Sequence, residues 1–261
     1  MIVWPESEGQ RLLDAVQLLA DPCKHAGAEL IVATSSDAAA GMIRGIAPAC
    51  RVVCGLQATN ASLRSEAAIA ANGDVVLFVD EIESEQTRRV VDRLEARRIS
   101  VVSAPRRSES ETRRGARATA ASVIVPAHNG AKVLPQTLGA LRDSDLPADR
   151  WELIVVDDAS RDDTAPLAAQ YADVLVRIPL RAHGPAYARN RGFEISVGAW
   201  AVFLDADVRV QRDTLRRFET AFAQAPTVGA IVGCYDVATP ARGIVSQYRN
   251  LMHFYAHHET A

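Results

Sequence analysis

The sequence predicts an α/β protein built from two units of mainly parallel sheet. Three observations carry this expectation. Short apolar runs of strand length alternate with helical patterns, as parallel strands do when helices cover both faces of their sheet. The order of those runs in the first half returns in the second, so the chain reads as an internal repeat. The composition is that of a folded globular chain, with 48% hydrophobic and 23% charged residues over 261 positions.

The first run, MIVW at residues 1–4, is followed by Pro5, and SVIV at residues 122–125 is followed by Pro126. A helical pattern comes next in each half: Leu12, Val16 and Leu19 share one face, and so do Val133, Leu138 and Leu141. ELIVAT at residues 29–34 matches ELIVVD at 152–157, and CRVVCGL at 50–56 parallels DVLVRIP at 173–179. Residues 60–82 then run beside residues 185–207 at a constant offset of 125, which pairs Ala61 with Ala186, Arg64 with Arg189, Gly73 with Gly198 and Asp80 with Asp205. The expected organisation is therefore a βαβαβαβ unit over residues 1–104, an exposed linker over 105–120 and a second unit over 121–261. The linker is rich in Arg and small residues and has no apolar period. Near the C-terminus, Leu215, Phe218 and Phe222 mark an amphipathic helix starting around Asp213, and residues 229–237 read as a strand.

Several function classes are disfavoured at this level. A net charge of −3 offers no basic field for a nucleic acid. Cys23, Cys50, Cys54 and Cys234 lack the spacing of a zinc module or a disulfide framework and read as reduced thiols. No apolar run approaches the ~20 residues that cross a bilayer, and the first ten residues lack a signal-peptide pattern. The expected location is the cytoplasm.

The chemistry concentrates in the second half. The strand at residues 202–204 is expected to run straight into Asp205-Ala206-Asp207, so that two carboxylates at positions i and i+2 face the same way. That places them past the C-terminal end of a strand, where open α/β sheets bind ligands. Paired carboxylates suit a hard cation, Mg²⁺ or Mn²⁺, with positions left for phosphate oxygens. Asp157 and Asp158 end another strand, and the following loop leads into a helix with Ser160 or Asp162 as its cap. Gly184 and Pro185 open a further helix, on which Arg189 stands about one turn in, within reach of a diphosphate. His253 and His257 share a helix face without a convincing acidic partner and read as a polar tail.

Four blocks taken together, SVIVPAHNGAKVLPQTLGAL, ELIVVDDASRDDT, GPAYARNRGFE and FLDADV, resemble family 2 glycosyltransferases of the GT-A fold, in the family's order and spacing. The resemblance covers roughly residues 121–213. It implies that Pro126 and His128 sit on the first loop beside the nucleotide base, where the family often has an aromatic residue in place of His128. It further implies that Asp158 contacts the base while Asp157 supports its loop, and that Arg189 lies near the diphosphate. Asp205 would lie near the ribose or the sugar. Asp205 and Asp207 would form the family's DxD motif, with Asp207 on the metal, Mn²⁺ or Mg²⁺, that bridges both phosphates. The reaction implied is transfer of a sugar from a nucleotide-diphosphate donor to an acceptor hydroxyl, with inversion. The expected partners are that donor and an acceptor, either a glycan or a lipid-linked molecule, with peripheral membrane association compatible and no nucleic acid.

The first half resembles a degenerate GT-A-like repeat. It has Ala33-Thr34, or Ser35-Ser36 depending on the gap, where Asp157-Asp158 stand, and Asp80-Glu81-Ile82 opposite the DxD, so it is expected to serve in structure or docking. An inverting transferase also needs a general base. Beyond Asp207 the acidic residues are Asp213, Glu219, Asp236 and Glu259, none in the family's acidic motif, so the base is unassigned and the chain is expected to be a fragment of a longer protein. The alternative is a non-catalytic module that binds a nucleotide-sugar or a partner protein. A nucleotidylyltransferase ranks last, because the loop at 127–130 has one Gly and no nearby Arg.

Overall fold

The structure is a computed structural model. It describes residues 2–4, 16, 19–20, 23–24, 29–54, 59–72, 75–77, 120–236 and 243–258. The chain forms two compact units, Met1–Leu215 and Arg216–Ala261.

Among the described residues the larger unit holds two sheets. Strands β1 (Ile2–Trp4), β2 (Ile31–Thr34) and β3 (Arg51–Cys54) form a parallel three-stranded sheet in the order β1-β2-β3. The second sheet contains β4 (Val75–Leu77), β5 (Ala121–Ala127), β6 (Trp151–Asp158), β7 (Val174–Ile178) and β8 (Trp200–Phe203), in the order β4-β7-β6-β5-β8. Its pairs are parallel except β4 on β7, which is antiparallel. The expectation of an α/β chain with mainly parallel sheets therefore holds.

Helices α1 (Asp37–Ile46) and α2 (Asn60–Ala70) belong to the N-terminal part, and each is capped by a hydroxyl. Ser36 accepts from the Ala39 N–H, and Thr59 from the Ser62 N–H. Helices α3 (Leu134–Arg142), α4 (Thr164–Tyr171) and α5 (Pro185–Glu194) follow the strands of the second sheet. That sheet is apolar on both faces, and the strand period of two divides them. Val123, Val125, Leu153 and Val155 meet Leu134, Leu138 and Leu141 of α3, together with Leu63 and Ala67 of α2. On the opposite face Ile124, Ile154, Val156 and Val176 meet Ala188 of α5. Of the face expected for α3, Leu138 and Leu141 are buried; Leu134 completes it, whereas Val133 precedes the helix and is exposed.

The compact units differ from the division expected around residues 105–120. Strand β4 hydrogen-bonds the free edge of β7, and α2 packs against α4, so the N-terminal part contributes to the core of the larger unit. The repeat does not carry over to the placement of strands either. β4 and the start of β8 match at the offset of 125, yet they join opposite edges of one sheet in opposite senses. Arg64, the counterpart of Arg189, is buried in a helix–helix contact instead of lying at a site. Gly73 and residues 78–119, which include Asp80, Glu81, Ile82 and the Arg-rich linker, lie outside the described residues.

The smaller unit takes over α6 (Thr214–Gln224) and carries α7 (Ile244–His258), whose side chains at His253, His257 and His258 lie outside the description. Residues 229–236 form no strand. They are largely exposed and find no neighbouring strand to pair with among the described residues, so their β-branched composition is not enough to make one. No helix among the described residues is long and apolar enough to cross a membrane.

Candidate functional site

The C-terminal ends of β5, β6 and β8 deliver three loops to one edge of the second sheet, the edge where α/β sheets bind ligands. The loop after β5 holds His128, Asn129 and Gly130, and side chains after β6 hold this loop in turn. The Asn129 N–H donates to Ser160 Oγ (2.9 Å), the Gly130 N–H to Thr164 Oγ1 (2.8 Å) and the Ala131 N–H to Asp162 Oδ2 (3.2 Å). In return the Arg161 N–H donates to Asn129 Oδ1 (2.9 Å). Asn129 and Ala159 both have positive φ, 50° and 55°, a conformation that Asn tolerates well.

His128 Nδ1 lies 2.6 Å from the Asp158 carbonyl, and its Nε2 lies 2.9 Å from the Asn129 amide nitrogen. A carbonyl only accepts, so the geometry assigns the proton to Nδ1 and leaves Nε2 to accept from Asn129. Pro126 does not share this loop. It is buried within β5 opposite Val156, because the strand continues to Ala127. Pairing of β8 with β5 stops at Ile124, so the proline stands where β5 has lost one neighbouring strand and a missing N–H is tolerated.

The two acids at the end of β6 have different environments. Asp157 accepts the Ser160 N–H (3.2 Å) and is nearly buried. Burial pushes its carboxyl above the ordinary carboxylate range, against the pull of its Ser160 bonds. Asp162 shifts the other way. The upward push of desolvation is outweighed there by bonds from the Thr164 hydroxyl and from the Ala131 and Thr164 N–H groups. The folded state holds the Asp157 proton more tightly than the unfolded chain, so its contribution to stability is complete below the ordinary Asp value and is lost as pH rises through the raised one. Asp157→Asn keeps an acceptor for Ser160 and removes the charge. Its melting temperature relative to wild type should climb as pH rises from about 4 to 7. A pH-independent difference in thermal melts would refute this.

Asp158 is 2% exposed, and both of its oxygens are engaged. The His183 N–H donates to Oδ1 and Oδ2 (2.9 and 3.0 Å), and the Gly184 N–H to Oδ2 (2.7 Å). This carboxylate therefore tethers the entrance to α5, next to the positive end of the helix dipole. Gly184 makes that entrance possible: its φ of 92° with ψ 165° belongs to a region open essentially to glycine alone. Pro185 then occupies the first helical position.

Arg189, one turn into α5, donates to the Asp205 carboxylate (2.5 Å). His128, Asp158, α5, Arg189 and Asp205 are thus joined by consecutive contacts. The acidic motif itself is a turn, and its two carboxylates are not aligned by strand alternation. β8 ends at Phe203, the Leu204 N–H still bonds the Ile124 carbonyl, and the Asp205 carbonyl accepts the Val208 N–H (3.1 Å). The turn is fastened from α3, where buried Thr137 donates its hydroxyl to the Ala206 carbonyl (2.7 Å). Asp207 is exposed, and its side chain makes no hydrogen bond among the described residues.

Two carboxylates in open positions are a fitting donor set for Mg²⁺ or Mn²⁺, ions that keep water and phosphate oxygens in their coordination shell. The described residues contain no group of three or more His, Cys, Asp or Glu arranged to hold a metal, so a cation here would complete its shell from solvent and ligand.

Sequence reasoning missed the residues that hold the loops. Asn129 carried a signal, as the residue before a glycine in a strand-ending loop. Thr137 carried none, because its partner lies 69 residues away. His183 and Tyr187, whose rings stack with centroids 4.6 Å apart on the exposed side of the α5 entrance, were also missed.

Residues 122–259, more than half of the chain, match the model of a family described as "Glycosyl transferase family 2". "Probable glycosyltransferase YdaM" of Bacillus subtilis is 30% identical over 137 residues, covering 50% of this chain and 33% of that protein. "Putative teichuronic acid biosynthesis glycosyltransferase TuaG" of the same organism is 34% identical over 100 residues, covering 37% of this chain and 39% of that one. The chain thus spans between a third and two fifths of the length of these two relatives. Among solved structures, the mannosyltransferase PcManGT from Pyrobaculum calidifontis, in complex with GDP-Man and Mn²⁺, is 24% identical with a TM-score of 0.41, covering 73% of this chain and 50% of that one. TarS 1-349 of S. aureus in complex with UDP-GlcNAc is 25% identical with a TM-score of 0.40, covering 44% and 37%.

Proposed function

This chain belongs to glycosyl transferase family 2, and we propose that it carries the donor half of a metal-dependent, inverting transfer of sugar from a nucleotide diphosphate to an acceptor hydroxyl. The observation that carries the reading is the pairing of Arg189 with Asp205, two residues before the exposed Asp207, at the edge of the sheet where the His128 and Ser160 loops converge. Asp205 and Asp207 would hold a divalent cation. When bound, it offsets the charge that builds on the departing diphosphate, a contribution of several kcal/mol. Arg189 neutralises the same diphosphate from α5 and, being a planar fork, orients it. Asp157 and Asp158 act through the loops they fasten, and His128 borders the nucleoside with its proton fixed on Nδ1. Pro126, inside β5, supports that loop from beneath.

The second reading is a nucleotide-sugar-binding module without turnover, because the side chains gathered at this edge, Arg189 and Asp205 with Asp207 beside them, are all assigned to the donor and none to deprotonating an acceptor. Calorimetric titration with UDP- and GDP-sugars, with and without Mn²⁺, tests both. Cation-dependent binding accompanied by slow donor hydrolysis or transfer supports the transferase. Binding with no turnover supports the module. No binding of any donor in the presence of Mn²⁺ refutes both.

A further inference from the structure

We propose that the segment ahead of the family-matched residues is a positioning element of the donor site, acting through Arg64 and helix α4; what the site binds rests on the reading above, whereas how it is held does not.

The contact between α2 and α4 is reciprocal. From α2, Arg64 donates through Nε to the Ala169 carbonyl (2.8 Å) and through Nη2 to the Ala172 carbonyl, and Ser65 Oγ donates to the Pro166 carbonyl (2.8 Å). From β7, the strand after α4, Arg177 donates to the Ala68 carbonyl (3.1 Å) and the Ala71 carbonyl (2.7 Å) at the end of α2. The last carbonyls of a helix have no partner within it, and a guanidinium supplies both the missing donors and the charge that the helix end favours. Each helix therefore has its C-terminus closed by an arginine from the other side of the contact. Arg64 is 5% exposed. A buried cation is costly unless its donors are matched, so the position of α4 relative to α2 is tightly determined.

The other end of α4 lies at the site. Thr164, its first residue, is wholly buried and accepts the Gly130 N–H, while Asp162 just before it accepts the Ala131 N–H. These are the amides that follow His128, and His128 bonds the Asp158 carbonyl. Eight helical residues span only ~12 Å. A displacement of the α4 C-terminus is thus delivered to the 128–131 loop almost undamped, because a hydrogen-bonded helix is stiff along its axis. Arg177 also stands opposite Asp157 in the β6–β7 register, so the second half of the clasp touches the strand that carries the paired acids.

Full-length Arg64→Ala, Arg64→Lys and Ser65→Ala variants test this, with exposed Glu66→Ala on α2 as control. Two quantities are read well below the melting temperature: amide exchange at Gly130 and Ala131 in the protein without donor, and affinity for UDP- or GDP-sugar with Mn²⁺. Arg64→Ala should speed exchange at both amides about tenfold and weaken donor binding by a similar factor, the scale of one lost charged hydrogen bond. Arg64→Lys should restore part of both, Ser65→Ala should give a smaller change, and Glu66→Ala none. A lower melting temperature with unchanged exchange and unchanged affinity in the folded protein would reduce Arg64 to a brace and overturn the proposal. If Arg64→Ala does not fold, the Lys and Ser65 variants decide by the same readouts. If wild type binds no donor, the functional reading fails, and the exchange measurement alone decides whether the positioning link exists.

Discussion

Gly198→Ala is expected to cost about 3 kcal/mol of folding stability and to lower the melting temperature by roughly 6–12 °C. A Cβ at this position would lie 2.5 Å from the Ser122 nitrogen and 2.6 Å from the Ala121 carbonyl carbon. These are backbone atoms at the start of β5, an interior strand flanked by β6 and β8, and they have no rotamer by which to retreat. The same loop is locked by a buried polar network. The Gly198 N–H donates to Ser122 Oγ (2.8 Å), Ser122 Oγ donates to Glu152 Oε1 (2.5 Å), and the Val197 N–H donates to that same oxygen (3.0 Å). Forcing the loop outward breaks these bonds and leaves buried polar groups exposed to the desolvation penalty. The consequence reaches the site, because Gly198 leads into β8 and β8 leads into Asp205 and Asp207. Donor affinity should therefore fall together with stability. Gly139→Ala is the matching control: its Cβ would meet open space on α3, so it should be neutral or stabilising by up to about 1 kcal/mol. Thermal melts of the two variants check both expectations, and equal effects would contradict the close-approach argument.

Asp207→Ala is expected to weaken cation-dependent donor binding at least about 100-fold while leaving the fold intact. Asp207 is exposed and holds no partner among the described residues, so its removal breaks no structural contact. The expected loss is confined to titrations containing Mn²⁺ or Mg²⁺. Asp205→Ala should be milder in binding but should also release Arg189, whose guanidinium it holds. Arg189→Lys should not rescue Arg189→Ala, because an ammonium cannot reproduce a planar, bidentate grip on a diphosphate. Donor binding that Asp207→Ala leaves unchanged in the presence of the cation would remove this residue from the site.

Much of this was readable from residues alone, because the information was local. Apolar runs gave β1 to β3 and β5 to β8 to within a few residues. Gly184-Pro185 gave the start of α5, and the acidic pairs gave two strand ends at one edge of a sheet. What escaped is non-local. Whether Val75–Leu77 pairs beside β5 or beside β7 depends on which edge is free, and a three-residue apolar run does not encode that. The 229–237 run has strand composition but no neighbour, so propensity alone misleads. At the site, the acidic motif is a turn because β8 stops at Phe203, and the alternation argument for Asp205 and Asp207 fails at that residue. The place of Asp158 in its motif does not disclose that its oxygens accept the His183 and Gly184 amides, 25 and 26 residues on. Arg64, matched to Arg189 by position, owes its role to carbonyls more than 100 residues away.

Donor binding at this site requires the cation and the diphosphate to meet at the end of β8. A crystal structure of the chain with UDP or GDP and Mg²⁺ tests that most directly. Mg²⁺ is expected at about 2.1 Å from an Asp207 oxygen, shared with oxygens of both phosphates, with Arg189 turned to the same diphosphate and the nucleoside against the 128–131 loop. A nucleotide bound elsewhere on the chain, or bound at this edge with the ion away from Asp205 and Asp207, would contradict it.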